Sequence, residues 1–100
     1  MSLLTDEIVL VTPNLYKTED TPLDEKIVTA RFYFPAGAGV WYLMELSEDK
    51  DLAFGLCNIF VKELGYFSIN ELEEIKVGGF KVQRDKDFKP CKYKDLKDKI

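Results

Sequence analysis

Three carboxylates, Glu45, Asp51 and Glu63, and two thiols, Cys57 and Cys91, are the side chains best suited to reactive chemistry. Carboxylates in pairs can exchange protons with a substrate or hold a hard cation. The spacing of these three matches no known cation loop, and a solvated or structural role is the plainer reading. The chain has no histidine. That removes Ser-His-Asp and Cys-His catalysis, and with them the commonest zinc ligand. Two lone cysteines cannot complete a thiolate metal site. Cys57 lies among large apolar residues and reads as a small buried hydrophobe. Cys91 sits among Lys89, Lys92 and Lys94, which could lower its pKa, although an incidental exposed thiol is the simpler account.

A second constellation suits binding better than catalysis. Simple alternation puts Trp41, Leu43 and Glu45 on one strand face, beside Arg31 and Tyr33 of an adjoining strand. Tyr66 stands shortly before a helix cap and could pack over the same sheet. Trp41, Glu45, Arg31, Tyr33 and Tyr66 are therefore the candidate binding residues, because Trp, Tyr and Arg dominate interface hot spots. The competing reading is a face covered by a helix, with Arg31 and Glu45 as a cross-strand ion pair. The two glycines of Pro35–Gly39 make no phosphate loop, since no Lys-Ser/Thr follows and the flanks are both strands.

With 100 residues, 46% of them hydrophobic and thirteen aromatic, the chain can form a single domain with one core. Such a length buries roughly 60–65% of the surface of the unfolded chain. Neither a transmembrane run nor a secretory leader is evident. Two cysteines make no disulfide framework, and a reducing cytoplasm is the expected setting. The net charge of −4 is uneven: residues 1–75 carry −9 and residues 76–100 carry +5. A basic end can mark an interaction tail. Here Asp85, Asp87, Asp95 and Asp98 are interleaved, which favours an ordinary solvated lysine face over phosphate binding.

The elements follow from local grammar. Thr5 before Asp6 and Glu7 reads as a helix cap with acids in the first turn. The β-branched run after it also suits a strand, but a short helix is favoured, with Leu15 and Tyr16 packing behind it. Residues 17–26 read as an exposed loop. Ile27–Phe34 alternates as a strand, with Val28, Ala30, Phe32 and Phe34 on one face. Val40–Leu46 resumes as its hairpin partner. Leu52–Val61 is a third strand, in which Gly55 signals a bulge or a close backbone approach. Leu64–Phe67 is a short extended piece. Ser68-Ile-Asn-Glu71 is a capping box, with Phe67 and Leu72 as its hydrophobic staple. Gly78-Gly79 stops that helix. Phe80–Arg84 is a final strand, Phe88 and Pro90 anchor a turn, and Tyr93, Leu96 and Ile100 share one face of a last helix.

Phe34-Pro35, Trp41-Tyr-Leu-Met-Glu45, Phe54-Gly-Leu-Cys57, Glu63-Leu-Gly-Tyr66, Ser68-Ile-Asn-Glu-Leu72 and Arg84-Asp85 carry a further signal. With Leu3-Leu-Thr5 and Leu15-Tyr16, they give the chain a resemblance, over nearly its whole length, to the bacterial domain of unknown function 2958 family. The resemblance implies a small protein found in bacteria and on their mobile elements, and brings no established activity. Asn58 stands where the family more often has an acid. Ile59–Lys62 is apolar where many members have more polar, Gly-containing residues.

The expected fold is α+β, a small antiparallel sheet of about four strands packed with two or three short helices. The expected function is a non-enzymatic protein-binding or regulatory module, without cofactor, metal or membrane, engaging a protein partner. A small-ligand site or enzyme pocket built from Glu45, Arg31 and Tyr66 is the alternative. Nucleic-acid binding through the basic C-terminal segment is a weaker one.

Overall fold

The structure, a computed structural model, describes residues 2–100. Thr5 opens the first helix, α1 (Asp6–Val11), by accepting the Ile8 amide on its hydroxyl at 3.1 Å. Asp6 and Glu7 then lie at the positive end of the helix dipole, as read. The strands are β1 (Ile27–Val28), β2 (Ala30–Tyr33), β3 (Val40–Leu46), β4 (Leu52–Asn58) and β5 (Lys62–Ser68). Helix α2 (Ile69–Glu74) follows, then β6 (Lys76–Val77), β7 (Phe80–Lys81), β8 (Gln83–Arg84), β9 (Cys91–Lys92) and α3 (Tyr93–Leu96).

Among the described residues the main sheet has five antiparallel strands in the order β5-β4-β3-β2-β8. The α+β class and the antiparallel meander match the sequence reading, with one strand more. The extra strand arises because the short piece expected at Leu64–Phe67 is a full seven-residue strand pairing with β4 along its length. The strand expected over Leu52–Val61 ends at Asn58, where the chain turns back.

The expected strand Ile27–Phe34 is broken at Thr29. The Thr29 amide donates to the Leu43 carbonyl at 2.8 Å, and its hydroxyl meets that of Thr12 at 2.7 Å. Val28 consequently faces away from Ala30 and Phe32, and β1 pairs with β9 rather than extending the main sheet. The expected strand Phe80–Arg84 is likewise divided, at the buried Val82. Gly78-Gly79 lies beyond the helix end. With φ of 59° and 84° it forms the two-residue turn of the β6–β7 hairpin, a turn that requires positive φ at both positions.

Each sheet face carries its own cluster. Phe32, Trp41, Leu43, Ala53 and Phe67 pack beneath α1 and α2, which supply Ile8, Val9, Ile69 and Leu72. Val28, Tyr42, Met44 and Leu56 pack on the opposite face under Leu23, Phe88, Tyr93, Leu96 and Ile100. Tyr93, Leu96 and Ile100 all pack on this cluster as the sequence indicated, although α3 ends at Leu96 and a 3₁₀ turn, Lys97–Lys99, separates it from Ile100. The segment read as an exposed loop contributes Leu23 to this second cluster and forms a short 3₁₀ turn at Leu23–Glu25.

Gly55 is the close backbone approach that the sequence offered as one of two readings, and the bulge, the other, lies beside it in β3 rather than in β4. Leu43 pairs with Gly55, and the next pair is Glu45 with Phe54, so Met44 is the extra residue. A Cβ at position 55 would lie 1.8 Å from the Tyr42 carbonyl oxygen. Gly55→Ala is therefore expected to cost about 3 kcal/mol or more in a urea titration. Gly65→Ala, whose Cβ meets nothing within 4 Å, should change stability by no more than about 0.5 kcal/mol. Equal behaviour of the two variants would contradict the close approach.

Candidate functional site

The bulge redistributes the residues that alternation grouped together. Trp41 lies across from Phe32 and Cys57 on the helix-covered face. Beyond Met44 the phase reverses, so Glu45 lies across from Phe54 on the other face, in line with Tyr66. The shared Trp41–Glu45 face of the sequence reading does not form.

Glu45 is only 4% exposed. Its Oε1 accepts the Tyr16 amide at 2.8 Å, and its Oε2 accepts the Thr18 amide at 3.2 Å and the Thr18 hydroxyl. Lys26 donates to the Thr18 hydroxyl at 2.9 Å and to its carbonyl. The Leu46 amide donates to the Pro13 carbonyl at 2.9 Å nearby. Glu45 thus fastens residues 13–18 to the end of β3, including Tyr16, held at a φ of 70°. Tyr16, expected to pack behind α1, is exposed. Both carboxylate oxygens are committed to the chain itself, which leaves Glu45 poorly placed as a general base.

Trp41 is 7% exposed and belongs to the core. A Cβ on Gly39 would come within 3.0 Å of its ring, so the hairpin loop lies against the indole. It is a packing residue on a helix-covered face, the competing reading that the sequence offered, and not an exposed anchor. Arg31 pairs with Asp85 at 3.2 Å, not with Glu45, and its guanidinium sits 5.1 Å from the Tyr33 ring centre. The Asp85 amide donates to the Arg31 carbonyl at 2.9 Å, so Arg31 holds the turn after β8.

The remaining reactive candidates are engaged separately. Asp51 accepts the Ser68 hydroxyl at 2.8 Å and the Asn70 amide at 2.9 Å, while Ser68 accepts the Glu71 amide at 3.1 Å. The acid completing the α2 cap is Asp51, not the expected Glu71. Glu63 stands exposed on β5, opposite Cys57. Burial, and secondarily Glu63, raises the Cys57 thiol above its ordinary pKa. Burial and then Asp95 raise Cys91 despite Lys99, against the lowering that its lysine neighbours suggested. Both cysteines are free thiols. Lys92 and Lys94 pair with Glu25 at 2.9 and 3.5 Å, and Lys97 with Asp24 at 3.0 Å. Three of the nine basic residues in 76–100 are thus folded onto acids of the same chain. Among the described residues no three His, Cys, Asp or Glu side chains gather in a way that could hold a metal ion. A cleft of about 370 Å³ opens between α1 and the segment after β8, lined by Glu7, Val11, Arg84, Lys86 and Phe88 among others. Arg31, Glu45 and Tyr66 do not line it.

The open chemistry lies on β5, the edge of the main sheet. The Ile69 amide donates to the Asp51 carbonyl at 2.8 Å, one residue outside the Leu52–Ser68 pair. In an antiparallel ladder that bond identifies Leu52–Ser68 as a non-hydrogen-bonded pair, and the pairs alternate from there. Glu63, Gly65 and Phe67 therefore direct their main chain at β4. Lys62, Leu64 and Tyr66 direct theirs outward to the free edge. The side chains of these same three share one face, Leu64 44% and Tyr66 51% exposed. Tyr66 packs on Phe54 with ring centres 5.3 Å apart. The Tyr16 hydroxyl beside it, followed by partial burial and by Glu45 and Glu19, raises the Tyr66 phenol above its usual range. At the tip of the β4–β5 hairpin stand Ile59, Phe60 and Val61, with Phe60 91% exposed. This tip departs from the expected strand Leu52–Val61, which includes the Ile-Phe-Val run.

A five-stranded antiparallel sheet with short helices on both faces makes this a small α+β domain. Residues 3–94 match the family described as a protein of unknown function (DUF2958), and the chain belongs to that family. No curated protein and no solved structure matches it. No helix among the described residues is long and apolar enough to cross a membrane.

Trp41→Ala should lower stability by about 3–5 kcal/mol in denaturant titrations, as expected for a core cavity. Glu45→Ala should cost about 2–3 kcal/mol, by stranding the Tyr16 and Thr18 amides, and should speed proteolysis within residues 13–20. Unchanged cleavage there would remove the fastening role of Glu45. Because its pKa is raised, Cys57 holds less thiolate at pH 8 than a free cysteine. Its alkylation by iodoacetamide should be slower than that of free cysteine, with a rate still climbing beyond pH 9. Fast alkylation at pH 7 would contradict this.

Proposed function

We propose that this chain is a non-enzymatic protein-binding module whose docking surface is the β5 edge and its apolar tip. The observation that carries the reading is Phe60, 91% exposed between Ile59 and Val61 at the end of a hairpin. Burying such a side chain at an interface is worth about 1.5–3 kcal/mol. The adjacent edge offers main-chain donors and acceptors of the kind used in strand addition, where the backbone supplies affinity and alternate side chains supply specificity. Tyr66 is the one residue of the candidate binding set that contributes to this surface. Arg31 and Tyr33 lie on the same sheet face, half-buried and occupied by Asp85 and each other.

The setting we propose is the bacterial cytoplasm, on the strength of the family resemblance, with the Phe60 tip as the part of the surface offered to a partner from host or mobile-element machinery. An enzyme built on Glu45 is disfavoured by the saturation of its carboxylate. Nucleic-acid binding is disfavoured by the pairing of Lys92, Lys94 and Lys97 with acids.

The test compares tagged wild-type protein with Phe60→Asp in capture from host lysate, read by quantitative mass spectrometry. The variant should keep its circular dichroism and melting temperature, because Phe60 touches solvent rather than core. At least one protein should fall tenfold or more in the variant lane. Identical capture profiles would overturn the proposed surface.

A further inference from the structure

Resting on the reading of β5 as the docking edge, we propose that its occupant is β5 of a second copy of this chain, paired antiparallel about Leu64. A two-fold pairing must bring outward-directed residues opposite one another, and only Lys62, Leu64 and Tyr66 qualify. This leaves few registers, and charge separates them. Centring on Lys62 opposes two ammonium groups, and centring on Glu63 opposes two carboxylates, both destabilising across a strand pair. Centring on Gly65 sets Glu63 against the buried Phe67. Centring on Tyr66 carries Lys62 past the end of the strand toward α2.

Centring on Leu64 avoids all of these. Leu64 meets its own copy, and Lys62 meets Tyr66 of the second copy on both sides of the axis. Each ammonium then comes beside an aromatic ring that already lies in the field of Glu19 and Glu45. That arrangement is complementary in charge and occurs twice. Lys62 now donates to the Ile100 carbonyl at 2.7 Å and retains further donors. Glu63 comes opposite Gly65, where no atom lies within 4 Å of the missing Cβ, so its side chain has room. The Phe60 tip of one copy draws level with Ser68 and the exposed Leu52 of the other. Three residue pairs with two hydrogen bonds each give about six new main-chain bonds and a sheet continuous across both copies.

Sedimentation equilibrium of the wild-type protein at micromolar concentration should give twice the monomer mass. Leu64→Pro removes one outward amide that β4 does not use, and should return the protein to monomer. In a Cys57→Ser, Cys91→Ser background, Leu64→Cys should cross-link across the axis under mild oxidation, while Glu63→Cys should not. A monomeric wild type would overturn the proposal, and so would a dimer that cross-links through Glu63→Cys instead. If the wild type is monomeric yet lysate capture still depends on Phe60, the binding-module reading stands and only the second copy is rejected. A monomer with no Phe60-dependent capture rejects both.

Discussion

In the middle of the sheet the Tyr42 carbonyl occupies the space where a side chain at position 55 would stand. That contact, possible only for glycine, admits one extra residue into β3 and reverses the phase of everything after it. Without the reversal Glu45 would point into the apolar layer beneath the helices, a costly place for a carboxylate. With it, Glu45 meets the amides of Tyr16 and Thr18 and closes the segment between α1 and the sheet. Leu46 returns to the helix-covered face and joins the core. One missing side chain thus serves core composition, placement of the buried charge and the path of the N-terminal third at once.

Much of the fold was legible because its signals are local. The Thr5 cap, the Val40–Leu46 strand, the Ser68 cap with its staple and the Tyr93–Leu96–Ile100 face depend on residues within a few positions of one another. Gly55 also announced a bulge or a close backbone approach. What could not be read was that the extra residue lies in the neighbouring strand, at Met44, which moves Glu45 to the other face. The same limit applies to Gly78-Gly79, since a glycine pair suits a helix stop and a hairpin turn equally well. Asp51 was illegible for a different reason: its role in the α2 cap arises from the pairing of β4 with β5, a contact between separate elements. For the site, residue type pointed to Trp41, while burial, which depends on the assembled layers, reassigned it to packing. Tyr66 kept an exposed position because it lies on the outermost strand.

The charge asymmetry of the sequence has a structural counterpart. Asp24 and Glu25, in the acidic part, sit against Lys92, Lys94 and Lys97 of the basic part. Lys92 holds the Glu25 carboxyl below its ordinary pKa, and Glu25 raises Lys92 in return. These pairs are exposed and contribute little each. Their use is in alignment, since the β1–β9 pair and the Leu23 contact lie in the same region. The two ends of the charge pattern therefore meet over the second sheet face.

The pairing of Ile27 with Lys92 also dictates an order of events during synthesis. The β3–β4 and β4–β5 hairpins join neighbours in the chain and can form as soon as they emerge from the ribosome. The face that carries Val28, Tyr42, Met44 and Leu56 must wait for residues 88–100, which bring Phe88, Tyr93, Leu96 and Ile100 over it. Closing so long a loop is slow relative to making a hairpin. A nascent chain therefore holds a formed meander with one oily side bare until residues 88–100 have emerged. That interval is when a chaperone would find most to hold.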